Sequence, residues 1–295
     1  MHNKQVASYM EASGSIRYNM TNNYMFRYIL QKNKKVLKGL VCSLLHLQPE
    51  QIKKLEIKNP INLSDDPSGK EFILDINVML NDDTLLNLEM QVANEYNWPE
   101  RSLSYLCRAF DQLYSGQKYV DILPVIHIGF LDFTLHPKAP EFYATYKMLN
   151  IKNHLIYSDK FILSVVNLNQ IKLATAEDKD FCIDYWARIF KAETWEEIKM
   201  LVNENENIQE AMLEALESLY VANSDEIVRQ QCRAREDAER MERTLQRDLK
   251  LLQDTVDSQA EEIQSMKSKI DEKDVAIAEK DAEIARLKKL YDLNK

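Results

Sequence analysis

In the stretch Glu71 to Ala93 (EFILDINVMLNDDTLLNLEMQVA), the polar side chains of Asp75, Glu89 and Gln91 stand among apolar residues. Phe72 to Val78 and Leu85 to Val92 read as two strands, with Asn81, Asp82, Asp83 and Thr84 as turn chemistry between them. Side chains of a strand alternate between faces, so Glu89 and Gln91 share one. Antiparallel pairing about the turn brings Asp75 toward them. Two carboxylates and an amide on one sheet edge are costly to bury without a partner, and a divalent cation is a partner that suits hard oxygen donors. On spacing alone, the same residues also suit a hairpin with one solvated face.

The elements around this hairpin follow from pattern. Residues 1–20 are polar, lack clear periodicity and read as a flexible lead-in. Asn22 or Asn23 caps a helix through Phe26, Ile29 and Leu30. A second helix runs from about Lys34 to Leu47, with Val36, Leu37, Leu40, Val41, Leu44 and Leu45 as its apolar stripe, and Pro49 ends that register. Leu55 to Leu63 reads as extended, and Asp65 to Gly69 as a turn into the hairpin. Beyond it, Asn97 and Pro99 open a helix that stops near Gly116, with Arg101, Tyr105 and Arg108 flanking its apolar face. Leu123 to Leu135 reads as a buried central strand, and Glu141–Leu149 and Phe161–Leu168 as two more strands. From Glu177 onward the chain reads as helix. The expected division is a lead-in (1–20), a core (21–175), a helical extension (176–222) and a long helix (223–295).

Composition narrows the function classes. The 295 residues carry a net charge of −9, which argues against coating nucleic acid by bulk attraction. The charge is uneven: residues 1–60 carry +7, residues 61–222 carry −13 and residues 223–295 carry −3. A basic head before an acidic body is compatible with a phosphate-contacting edge beside a carboxylate site. It is equally compatible with basic helices that solvate themselves, and the Lys32–Lys38 cluster reads first as a solvated face. Cys42, Cys107, Cys182 and Cys232 lie far apart without a CxxC pair, which predicts reduced, separately packed thiols. The five histidines are also scattered, which favours a structural role for each. No apolar run reaches membrane-spanning length and the start MHNKQ is unlike a signal peptide, so the expected location is cytoplasmic.

The last third carries the strongest purely physical signal. Leu249, Val256, Ile263, Ile270, Ile277, Ile284 and Tyr291 recur every seven residues. Leu245, Leu252, Met266 and Leu287 take the complementary position, together with Gln259, Lys273 and Lys280. This a/d heptad predicts a coiled coil and a homodimer, with β-branched a residues favouring two parallel strands.

The order helix, hairpin, helix, strand, with Asp75…Glu89-Met90-Gln91 in the hairpin, resembles the PD-(D/E)XK family of recombination-promoting nucleases, often labelled transposases. TNNYMFRYIL resembles the family's opening motif, LVCSLLHLQPEQIKKLEIKNP its next helix and strand, and LDINV…NLEMQV its catalytic core. RSLSYLCRAFDQLYSGQKYVDILPVIHIGFLDF resembles the helix and strand that follow. The resemblance implies an α/β, restriction-endonuclease-like core: a central mixed sheet flanked by helices, here followed by a helical segment and a C-terminal coiled coil. It implies Asp75 and Glu89 as ligands of Mg²⁺ or Mn²⁺, Gln91 in place of the wider motif's lysine, and DNA as substrate. Arg27, Arg101 and Tyr105 become candidate nucleic-acid contacts; equally, Arg101 and Tyr105 pair with Glu100 or other acids and hold their helix. The family usually has an acidic residue where this chain has Asn23, a lysine where it has Arg27 and a proline where it has Leu74. Two functions from different classes follow: a metal-dependent DNA endonuclease of recombination, mobile elements or defence, or a catalytically weak nuclease fold kept as a DNA-binding or coiled-coil module.

Overall fold

The computed structural model describes residues 8–59, 76–113, 115–204 and 208–293. Two asparagines set the first helical hairpin. The side chain of Asn22 accepts from the amides of Tyr24 and Met25 and starts α1 (Asn23–Lys32), filling donors that a helix start leaves open. Asn33 returns its own N–H to Ile29 and, through its side chain, caps α2 (Lys34–Leu45). His46, in the left-handed region at φ 55°, ends α2 by donating its amide to Cys42 and Ser43.

The sheet is built around the hairpin. Among the described residues it contains β1 (Leu55–Ile57), β2 (Ile76–Leu80), β3 (Thr84–Gln91), β4 (Val125–Leu131), β5 (Tyr143–Lys147) and β6 (Phe161–Asn167). Asn81 and Asp82 both take positive φ, 51° and 62°, the tight turn whose twist matches that of the strands it joins. The Asn81 side chain also accepts from the amide of Lys53 at 2.9 Å, tying the turn to the chain entering β1. Thr84, expected in the turn, already belongs to β3. The strand order is β1-β2-β3-β4-β6-β5, antiparallel at three steps (β1-β2, β2-β3 and β6-β5) and parallel across β3-β4-β6. β4 is interior and mostly buried, as its apolar, β-branched sequence predicts.

The helices cover the two faces unequally. Ile76, Val78, Leu80, Leu86, Leu88, Met90, Ile128 and Phe130 form one face of a core completed by α1, α2 and α5 (Ile183–Lys191). Phe26 of α1, Phe130 of β4 and Phe190 of α5 meet there at centroid distances of 5.4–5.6 Å, the tilted and edge-on geometry aromatic rings prefer. The buried Trp186 donates its ring N–H to Ser43 at 3.0 Å, so its indole donor is satisfied. The opposite face holds α3 (Trp98–Phe110), which ends before the expected Gly116. Its small core contains Trp98, Leu131 and Val165. The remaining helices are α4 (Ala176–Asp180), α6 (Trp195–Glu204), α7 (Glu210–Ser224) and α8 (Glu226–Leu293).

Two expected boundaries change. Within the described residues 8–20 the chain is no loose lead-in: Tyr9, Ile16, Tyr18 and Met20 are buried. Ile16 donates to the Glu193 carbonyl at 2.7 Å and Trp195 to that of Gly14 at 3.0 Å. These apolar residues pack singly, without a period that pattern reading detects. The first compact unit, Met1–Glu236, also runs past residue 222, because Val228 and Cys232 of α8 are buried in the same core. The second unit, Asp237–Lys295, is one helix over its described residues, and its heptad side chains from Leu245 to Leu287 are solvent-exposed. Among the described residues no helix is long and apolar enough to cross a membrane.

Candidate active site

Glu89 lies near the C-terminal end of β3, where strand periodicity puts Asn87, Glu89 and Gln91 on the face covered by α3. The parallel register sets Asn87 opposite His127 and Glu89 opposite Gly129. Gly129 is needed here for space. A Cβ on it would come 2.1 Å from the ring of Trp98, so only glycine lets the first turn of α3 settle directly on the sheet beside Glu89. That seating aims Arg101, one turn along, at the carboxylate. Its Nε donates to Glu89 Oε1 at 2.8 Å, and its guanidinium lies 5.2 Å from the centre of the Tyr105 ring, a cation–π contact that helps to hold it.

The electrostatics follow from burial. Glu89 is only 4% exposed, and a buried carboxylate needs a countercharge. Burial opposes the charge on Arg101, yet the attraction and hydrogen bond of Glu89 outweigh it and raise the Arg101 pKa. His127 is fully buried with its Nε2 3.7 Å from Glu89 Oε2. Burial first, and then the neighbouring Arg101 charge, push the His127 pKa down to about 3, so the ring is neutral at ordinary pH. It sits between Trp98, at 5.7 Å, and a parallel Tyr105 ring, at 6.2 Å. Gln91 is half-buried and donates its amide N–H to the Ala93 carbonyl at 3.0 Å, which leaves an amide oxygen as a hard acceptor on the Glu89 face.

The sequence candidates separate accordingly. Glu89, Gln91, Arg101 and Tyr105 come together. Arg101 pairs with Glu89 rather than with Glu100. Asp75, the residue before Ile76, lies outside the described residues. The expected nucleic-acid contact at Arg27 is corrected: this side chain is 0% exposed and donates to the Asn59 carbonyl. Asn59 in turn accepts from the Asn77 amide at 2.8 Å, and Asn77 from the Asn87 side chain at 2.7 Å. Arg27 therefore anchors α1 to a polar network that reaches the row containing Glu89. Asn23, on the same helix, is also buried. His127, Gly129 and Trp98 are site residues that sequence reasoning missed. A lone histidine in an apolar strand was the available signal, but its neighbour across the sheet is set by a parallel register with no local signature.

A family model described as PD-(D/E)XK nuclease family transposase matches residues 20–247. The chain belongs to that family. The mixed six-stranded sheet flanked by helices is its restriction-endonuclease-like fold. Among curated proteins and among solved structures, none matches the chain. PD-(D/E)XK nucleases typically use divalent metals. In this member the described donors suit such an ion in kind, a carboxylate oxygen of Glu89 and the amide oxygen of Gln91. Among the described residues no three His, Cys, Asp or Glu side chains cluster as a metal cage.

Proposed function

We propose that this PD-(D/E)XK protein is a divalent-metal-dependent endonuclease that hydrolyses phosphodiester bonds in DNA. Glu89 is the observation that carries the reading. It is a buried carboxylate near the end of β3, and its countercharge comes from a partly exposed arginine on another element. Asp75 and Glu89 would hold Mg²⁺ or Mn²⁺, with Gln91 beside them. Such an ion supplies a bound water of lowered pKa and neutralises charge on the phosphate. Gln91 would orient a water at the site by hydrogen bonding, where lysine of the wider motif would add charge. Arg101 satisfies Glu89 in the metal-free protein. Once displaced, its guanidinium, whose side chain is 37% exposed, is free to meet a phosphate oxygen from its perch on Tyr105. His127 stays neutral and so adds no competing charge. A cytoplasmic protein that self-associates through its C-terminal helix completes the picture.

A second reading, a catalytically weak fold kept for binding, is favoured by Asn23, where the family usually has an acid, and by Gln91, where the wider motif has lysine. Supercoiled plasmid incubated with the purified chain in Mg²⁺ and in EDTA separates the two readings. Nicking in Mg²⁺ alone supports the nuclease, and binding without nicking supports the module.

A further inference from the structure

The C-terminal helix has an apolar seam and no partner within its own unit. Ile263, Ile270, Ile277 and Ile284 are 49–57% exposed, and Leu245, Leu249, Leu252, Val256, Met266 and Leu287 are exposed to a similar degree. The described α8 residues that join the first hydrophobic core are Val228 and Cys232, with Gln231 buried beside them. Beyond Glu236 the helix therefore leaves a seam of branched side chains along its length to water, a state that association with a matching helix relieves.

The charges beside the seam choose the partner and its direction. With Leu249 at a, the g positions hold Asp248, Thr255, Glu262, Lys269, Ala276 and Glu283, and the e positions hold Gln253, Ala260, Lys267, Asp274, Asp281 and Lys288. In a parallel, in-register pair each g residue meets the e residue five positions further on in the other helix. The charged meetings are Glu262 with Lys267, Lys269 with Asp274, and Glu283 with Lys288. All three are opposite in sign, each occurs twice by symmetry, and none is repulsive. The polar seam positions fit the same alignment: Lys273 and Lys280 at d are each followed by an aspartate at e, Asp274 and Asp281. An antiparallel pair sets g against g. The alignment that joins Glu262 to Lys269 then also sets Glu283 against Asp248, like against like.

From this seam and its flanking charges we infer that residues 245–288 form a parallel, in-register coiled coil with a second copy of the same chain, its register selected by the Glu262–Lys267, Lys269–Asp274 and Glu283–Lys288 pairs. This rests on the self-association reading above and adds direction, register and partner selection to it. The seam lysines weaken the coil internally, so the flanking charges carry an unusual share of the specificity, and the pairing is salt-sensitive. A foreign helix that lacks this g/e order meets either unpaired or like charges, which is why a second copy is the favoured occupant.

The test uses the full chain with Cys107→Ser, which removes the one cysteine that is exposed. Light scattering comes first: a dimer is expected, and a monomer at micromolar concentration overturns both the self-association reading and this inference. Val256→Cys and Ile277→Cys are then made separately and oxidised. In a parallel in-register dimer each a residue faces its own copy within disulfide reach, about 4.4–6.8 Å between Cα atoms. Both variants should give covalent dimers on a non-reducing gel. An antiparallel pair brings at most one position opposite itself, because the two sites are about 30 Å apart along the helix at ~1.5 Å per residue. A dimer in which only one variant, or neither, crosslinks overturns the inference and leaves self-association standing. Charge reversal tests the selection rule. Glu262→Lys with Glu283→Lys, and separately Lys267→Glu with Lys288→Glu, should each weaken the dimer by more than about tenfold. Mixing the two chains should restore association. Unchanged dimerisation in the reversed chains would overturn the role of these pairs.

Discussion

Replacing Arg101 with glutamine exposes how Glu89 is held. The change removes the guanidinium 2.8 Å from a carboxylate whose side chain is 6% exposed. Removing one partner of a fully buried ion pair costs about 3–5 kcal/mol, because the remaining charge is stranded. Arg101 is more than a third exposed, and solvent screening discounts that figure to about 1–3 kcal/mol. For a unit of this size, each kcal/mol moves the melting temperature by about 2–4 °C, so a fall of about 2–12 °C is expected in EDTA. The informative comparison is with Mg²⁺ or Mn²⁺. Ligand present at 100 times a protein's own dissociation constant adds about 2.7 kcal/mol, and at one shared metal concentration the weaker binder gains less. In the parent, however, the Arg101 pair must first be given up. Differential scanning fluorimetry should therefore show a larger metal-induced rise in Arg101→Gln than in the parent, bringing the two melting temperatures together. Equal rises in both proteins, or no loss in EDTA, would refute the exchange at Glu89.

Gly129→Ala should destabilise the fold by about 1–3 kcal/mol, since its new Cβ falls 2.1 Å from the Trp98 ring; denaturant titration reads this directly, and an unchanged midpoint would mean that α3 is not seated as described. The depressed His127 pKa predicts a pH dependence. The unfolded chain takes up this proton below about pH 6.5, while the folded chain does so near 3. Stability is thus fully present above pH 6.5 and drains as pH falls, by about 1.4 kcal/mol per unit. His127→Leu, measured in EDTA, should flatten that limb, and an unaltered slope would assign the acid sensitivity to other groups. At Gln91, lysine should keep or raise single-turnover cleavage and alanine should lower it; alanine equal to the parent would remove Gln91 from positioning the nucleophile.

The parts of the fold written in local patterns were legible in the sequence. The α2 stripe, the cap at Asn22, the turn at Asn81–Asp82 and the heptads of the tail all depend on residues within a few positions of one another. What was not legible depends on distant partners. Glu89 and Gly129 are neighbours only because β3 and β4 pair in parallel across the α3 crossover, and no local feature fixes that register. Arg101 was visible as a cation on a helix, but not as the countercharge of Glu89. Arg27 resembled a surface cation, because arginine is almost never fully buried unless its charge is met; here the polar network through Asn59 receives it. Residues 8–20 resembled a tail because Tyr9, Ile16, Tyr18 and Met20 enter the core one at a time.

The central claim is that Asp75 and Glu89 form a metal site that cuts DNA. Its most direct test is single-turnover cleavage of supercoiled plasmid by the parent, Asp75→Ala and Glu89→Gln, each with saturating Mg²⁺ or Mn²⁺ and with EDTA, after circular dichroism has confirmed that all three are folded. The account predicts metal-dependent nicking by the parent and a loss of at least about 100-fold in both variants, the scale on which removing a group that stabilises transition-state charge acts. Cleavage by the folded variants at the parent's rate, or a parent equally active in EDTA, would contradict it.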